Sequence, residues 1–406
     1  MSNNSCSSVF GIYLLFATTC LGCNQYEANQ IAIQSASPQD SPQELSDEVK
    51  ALLDQLKSRA VVDRVTAALK LTEHSSELAT FILPLGEHLT DHSSEVKQAV
   101  TFAFQEFGDA AIEHIRRLIA STDKESFFLG CEMIRALGPI AEPLLPAVAE
   151  YLSSSDANRR KGAIYALMPM KELAAPYVDK IGPLLKDQPD FNTTLFACRT
   201  IIGIGTKANS LAGALRTLAE NGNVSERSYA YWALGAIGPV EDFDSAEFLI
   251  PKLDEYLQVE RQRALRGIAL LGPHATAAVE KVRSLMDNEV KNVEPEAAFA
   301  LWKITGEVQP SLDRLIELYE HPIHQLPALS YIEEMGEAAR PAEAFLLGLL
   351  EVPDESIREH AINCLVSLGT VSNQAIEAMQ TMTMADPDLL LRFSAKRALR
   401  KLGHHE

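Results

Sequence analysis

Basic residues are scarce in this 406-residue chain: 36 Lys and Arg stand against 55 Asp and Glu, a formal net charge of −19. Nucleic acid is held by neutralising its phosphates with Lys and Arg, so neither DNA nor RNA is an expected partner. Aromatic residues are few, 7% of the chain, and runs of β-branched residues are short, which removes the side chains that fill strands. Catalytic signatures are missing too. There is no Gly-Lys-Ser/Thr phosphate loop, no Gly-x-Ser-x-Gly elbow and no HExxH pair. The histidines, among them His74, His88, His92, His114, His321, His324 and His360, do not fall at ligand spacing. No catalytic residue, metal site or cofactor is therefore expected. Beyond the N-terminus, Cys131, Cys198 and Cys364 are an odd number spread over distant segments, which is no disulfide framework; they read as small buried hydrophobes.

What the chain has in abundance is one repeated pattern. Its last copy, Ala385 to Gly403 (ADPDLLLRFSAKRALRKLG), places Ala395, Ala398, Leu399 and Leu402 on one helical face before Gly403 stops the helix. Ten more copies lie upstream. Taking the position after the last apolar residue of each copy as a landmark gives Thr72, Gly108, Gly138, Met168, Gly205, Gly238, Gly272, Thr305, Gly336, Gly369 and Gly403, about 33 residues apart. Four residues before each landmark stands an apolar column: Ala68, Phe104, Ile134, Ile164, Ile201, Leu234, Ile268, Leu301, Ile332, Leu365 and Leu399. The spacing accommodates two helices and two short connections, so each unit is a helical hairpin. Acidic pairs such as Glu294 with Glu296 are read as helix caps or solvated turns.

The runs ALGPIAEPLLPAVAEYL (136–152), YWALGAIGP (231–239) and the DP-D…R…A…AL…LG pattern of 386–403 resemble HEAT repeats, in the short form found in phycobilisome lyase subunits. The resemblance covers nearly everything from residue 47 onward. It implies an all-α fold, an α-α superhelix of about eleven hairpins over 47–406, with second helices lining a concave face and a scaffold or adaptor role. It also keeps open two alternatives: a HEAT-type lyase or other enzyme acting on a partner protein, and a purely structural envelope spacer.

The N-terminus is separate. Val9 to Gly22 is an uncharged apolar run of signal-peptide length, short for a transmembrane helix. The Gly22-Cys23 step that ends it resembles the end of a bacterial lipobox, in which the Cys is lipidated after cleavage. Cys20 and Leu21 stand where that pattern prefers Leu and a small residue, and ordinary secretory cleavage is the competing reading. Residues 1–22 are thus expected to be a signal peptide and 23–46, rich in Gln, Ser, Asn and Pro, a flexible tether. On this reading the body is exported to the cell envelope and meets the membrane only through a lipid on Cys23.

One functional signal remains. Positions six and three before the landmarks lie opposite the packed face, in the concavity. Across the middle repeats they read Arg135, Tyr165, Arg199, Trp232, Arg266, Phe299 and Trp302, which include both tryptophans of the chain. Aromatics and Arg dominate binding hot spots; packing between adjacent repeats is the competing account. The expected function is a noncatalytic scaffold binding a protein or peptide on this stripe.

Overall fold

The computed structural model describes residues 45–186, 191–287 and 292–404, and from Leu45 onward the chain is one compact unit. The expected signal peptide, Cys23 and nearly all of the tether lie outside the described residues. Ser46, placed in the tether by sequence, caps the first helix and hydrogen-bonds Glu77. Among the described residues every regular element is helical, with one isolated bridge between Val240 and Phe243.

The second helices of the hairpins, numbered by repeat, are α1 (Val61–Lys70), α2 (Ser94–Phe107), α3 (Lys124–Leu137), α4 (Ala157–Leu167), α5 (Phe191–Ile204), α6 (Val224–Ala236), α7 (Gln258–Leu271), α8 (Glu294–Thr305), α9 (Gln325–Met335), α10 (Glu355–Ser367) and α11 (Leu389–Lys401). Each packs against its neighbours in order, and the fold is an all-α, HEAT-type superhelix. Many start on a side-chain cap: Ser93, Asp123, Asp156, Asp354 and Asp388 accept from the first turn, and Asn223 forms a reciprocal capping box with Glu226. The apolar column is the core of the stack: from Ala68 to Leu399 every member is at most 3% exposed.

An arginine near the start of several of these helices ties down the turn before it. Arg64, Arg160, Arg261 and Arg358 each donate to the carbonyls five and six residues back. Among the described residues the Arg64 fork reaches Asp91 of the next repeat at 2.9 Å, and that of the buried Arg358 reaches Asp386 at 3.0 Å. Such a planar donor satisfies two orphan carbonyls and one carboxylate at once.

All eight landmark glycines have positive φ, from 53° at Gly108 to 85° at Gly403. Gly108, Gly138, Gly272 and Gly336 pair it with ψ between −129° and −137°, the first central position of a type II′ turn. The chain therefore leaves each of these long helices straight into a 3₁₀ turn, Gly108–Ala111, Gly138–Leu144, Gly272–Ala278 or Gly336–Ala342. In these four units the first arm is consequently broken and short, whereas the first arms Val308–Leu318 and Asn373–Ala385 are continuous helices of three to four turns. Two landmarks are displaced. In the fourth repeat the positive φ falls on Lys171 (50°), not near Met168, and in the eighth on Gly306 (76°), one past Thr305. The Lys171 assignment restores an 11-residue spacing from Arg160, equal to that from Arg261 to Gly272 and from Arg358 to Gly369.

The two ends of the stack meet. Phe102 of α2 stacks on Phe393 of α11 with centroids 5.6 Å apart, and the Arg397 guanidinium sits 4.5 Å over the Phe102 ring. Arg397 Nη2 donates to Gln105 Oε1 at 2.6 Å, Arg400 pairs with Glu106 at 3.2 Å, and Gln98 donates to Glu359 of α10. The superhelix thus closes from its second repeat to its last, and the concave face becomes the inner wall of a ring.

Candidate partner-binding wall

The wall is built from positions that the apolar column leaves facing inward. On α3, Arg135 pairs with Glu132 at 3.2 Å and its guanidinium lies 5.2 Å over the Tyr165 ring of α4. The Tyr165 hydroxyl approaches Glu132 at 3.5 Å. Burial, with the Glu132 charge beside it, pushes that hydroxyl up to about 12, so it stays a neutral donor. Tyr165 also packs on Phe196 of α5 at 5.1 Å.

Between Tyr165 and Trp232 in the ring comes Arg199 of α5. It is exposed, its charge is felt at Tyr165, and among the described residues it has no hydrogen bond or ion pair.

The α6–α7 pair is drawn together by glycine. A Cβ on Gly235 would lie 2.0 Å from the Gly267 carbonyl oxygen, so the two backbones touch. Side chains flanking this crossing interleave: Arg263 lies 4.6 Å over both Tyr229 and Trp232, and Arg266 lies 4.8 Å over Trp232. Trp232 and Arg266, expected on neighbouring helices, are in direct contact. The Arg266 guanidinium carbon also lies 4.9 Å from the centroid of the Tyr331 ring of α9; its Nε donates to the Tyr331 hydroxyl at 2.9 Å, and its Nη2 reaches Glu334 at 3.4 Å. A guanidinium held by two rings, a hydroxyl and a carboxylate is fixed in direction.

Phe299 differs from expectation. It is 5% exposed and packs on Tyr331 at 4.8 Å and on Trp302 at 5.5 Å, so it supports the wall from behind. Trp302 is half-buried, with Lys303 at 5.2 Å from its ring. Nor are Glu294 and Glu296 solvated: they are 1% and 3% exposed. Burial lifts the Glu296 carboxyl above its ordinary range, with Arg266, Arg263 and the Tyr331 hydroxyl pulling it back, and it accepts from Gln262 at 3.0 Å. Glu296 anchors the network from inside, a role the sequence signals only by its slot three residues before Phe299. The seam residues Phe102, Gln105, Arg397 and Arg400 were also missed, although they occupy the same two inward slots in the end repeats.

Cys131, Cys198 and Cys364 are buried and unpaired, with burial raising each thiol well above its usual range. No group of three or more His, Cys, Asp or Glu among the described residues could hold a metal ion, and no described helix is long and apolar enough to cross a membrane.

Fold and wall together define the class: a helical-repeat array of the HEAT type with a side-chain-lined inner face. No protein-family model matches the chain, and no curated protein matches it. Among solved structures it is similar to Kap121p (TM-score 0.37, 15% identity, 87% of this chain and 45% of that one) and to the Kap95:Nup1 complex (TM-score 0.48, 13% identity, 87% and 57%). It is also similar to the complex of CpcE and CpcF of phycocyanin lyase from a Nostoc species (TM-score 0.34, 16% identity, 63% and 99%). The chain spans less than half the length of Kap121p.

Proposed function

We propose that this chain is a noncatalytic scaffold that binds a protein or peptide on the inner wall of its ring. One observation carries the reading: aromatic and guanidinium side chains alternate on consecutive helices, Tyr165, Arg199, Trp232 and Arg266, in a chain whose net charge is −19. Arg and aromatics are the residues that concentrate binding energy at interfaces, and a repeat array presents them as one continuous face. The placement belongs to the same proposal: the apolar run ending in Gly22-Cys23 supports an exported body held at the cell envelope by a lipid on Cys23.

The test is site-specific photo-crosslinking in the native envelope. A photoreactive residue at Arg199 or Trp232 is expected to give discrete protein adducts, and one at the exposed Arg117 of the first arm Ile112–Ile119 is not. Equal adducts from both faces, or none from the wall, would sink the reading. Labelling with a radioactive fatty acid is expected to be lost in Cys23→Ala, and label retained there would rule out Cys23 as the anchor.

A further inference from the structure

We infer that Arg199 is the anchor for a carboxylate of the partner, and hence that the wall takes an acidic segment in which Asp or Glu stands close to an aromatic residue. This rests on the wall being the binding face. The argument comes from a comparison within the molecule.

Arg199 and Arg266 occupy the same slot, six residues before Gly205 and Gly272, and each follows an aromatic residue on the preceding helix, Tyr165 or Trp232. Arg266 shows the slot filled. Its guanidinium carbon lies over the Trp232 and Tyr331 rings, and its N–H groups donate to the Tyr331 hydroxyl and reach the Glu334 carboxylate. Both acceptors come from α9, two repeats further round the ring.

The other guanidiniums of the inward slots are likewise occupied by the chain itself. Arg135 has Glu132, Arg397 has Gln105 and the Phe102 ring, and Arg400 has Glu106. Arg199 has none of these among the described residues; it lies exposed, its charge is felt at the Tyr165 hydroxyl, and Tyr165 packs on Phe196 of the Arg199 helix. Guanidinium binds carboxylate through two parallel charge-assisted bonds, and an aromatic neighbour adds a stacking face. A partner's carboxylate and aromatic ring would take at Arg199 the places that Glu334 and Tyr331 take at Arg266. The net charge of −19 repels an acidic partner at long range, so the preference for a carboxylate comes from the Arg199 fork at contact distance.

The experiment pans a random dodecapeptide library, displayed on phage, against the full chain and its variants. Peptides carrying Asp or Glu next to an aromatic residue are expected to be enriched. Their affinity should fall about 10- to 100-fold in Arg199→Glu, as expected for loss of a charge-assisted bidentate pair, and less in Arg199→Lys, which keeps the charge but not the fork. Since Arg199 is exposed and has no hydrogen bond or ion pair among the described residues, both variants should melt with the wild type, which circular dichroism checks. Enriched peptides that lose binding in Trp232→Ala but lack acidic residues, or that ignore Arg199→Glu, overturn the anchor and leave the wall standing. No enrichment, or enrichment indifferent to both Arg199→Glu and Trp232→Ala, overturns the wall itself and the anchor with it.

Discussion

Cutting the seam should open the ring without unfolding it. Consecutive repeats are joined by the buried column, whereas among the described residues the two ends meet through side chains of α2, α10 and α11. Replacing Arg397 by Ala removes a cation–π contact of about 0.5–1 kcal/mol and a hydrogen bond from a charged donor of about 1.5–3 kcal/mol. The exposed Arg400–Glu106 pair contributes little. The closure equilibrium should therefore move by about 2–4 kcal/mol, roughly 30-fold to several hundred-fold. Adding Phe102→Ala also removes the ring pair, about 0.5–1.5 kcal/mol more. Helix α11 should stay folded, since Leu390, Leu391, Ala395, Ala398 and Leu399 remain buried against their own hairpin and α10. Small-angle scattering should show a larger maximum dimension, and hydrogen exchange should rise along α2 and α11 with helicity retained. If scattering is unchanged while the melting temperature falls sharply, these residues are ordinary packing and the seam is no clasp.

Three further outcomes follow from particular sites. Gly235→Ala drives a Cβ to 2.0 Å from backbone that cannot yield, so it should cost at or above the usual overpacking range of about 1–3 kcal/mol, whereas Gly213→Ala, with nothing within 4 Å, should be neutral or stabilising; equal urea midpoints would refute the close crossing. Lys171→Gly should stabilise by up to about 1 kcal/mol by relieving a non-glycine residue at φ 50°, and a lower melting temperature would show that the lysine side chain matters more than the strain. Burial alone would raise the Asp91 carboxyl, but hydrogen bonds from Arg64 and the Ser93 amide outweigh it and hold the group at about 2 against an ordinary 3.8. A depressed carboxylate stabilises the fold above its unfolded value and loses that contribution as pH falls toward the folded one. Asp91→Asn should therefore cost about 2 kcal/mol at neutral pH and flatten the loss of stability between about pH 4 and pH 2; acid-unfolding curves that run parallel would count against it.

The fold was legible because its signals are local and repeated eleven times. A glycine stop, an apolar residue four before it and a capping residue at the helix start each act within a few turns, so one helix suffices to read them. The errors fall where local pattern and backbone part company. Met168 looks like a landmark because it follows Leu167, but the chain runs on through a 3₁₀ segment and turns at Lys171, a residue that composition gives no reason to expect at positive φ. Glu294 and Glu296 look like a solvated first turn, because the sequence does not show that Arg263, Arg266 and Gln262 of the preceding helix and Tyr331 of the next converge on Glu296.

The wall was legible by position and illegible by state. Every residue of the stripe was chosen for an inward slot, yet the slots have different fates. Where α6 and α7 cross in backbone contact at Gly235 and Gly267, α7 also reaches α9, so Arg266 is satisfied from within and Phe299 is sealed behind it. Around α5 no such reach occurs among the described residues, and Arg199 is left open. At the ends the same slots meet across the ring and become the seam. Sequence periodicity reports which residues face inward; contacts between repeats two or more apart depend on the accumulated angle between helices, which no single repeat encodes. The closed ends also hold the wall in one shape, so a partner engaging Arg199 and Trp232 meets side chains already placed and little ordering cost remains to be met on binding.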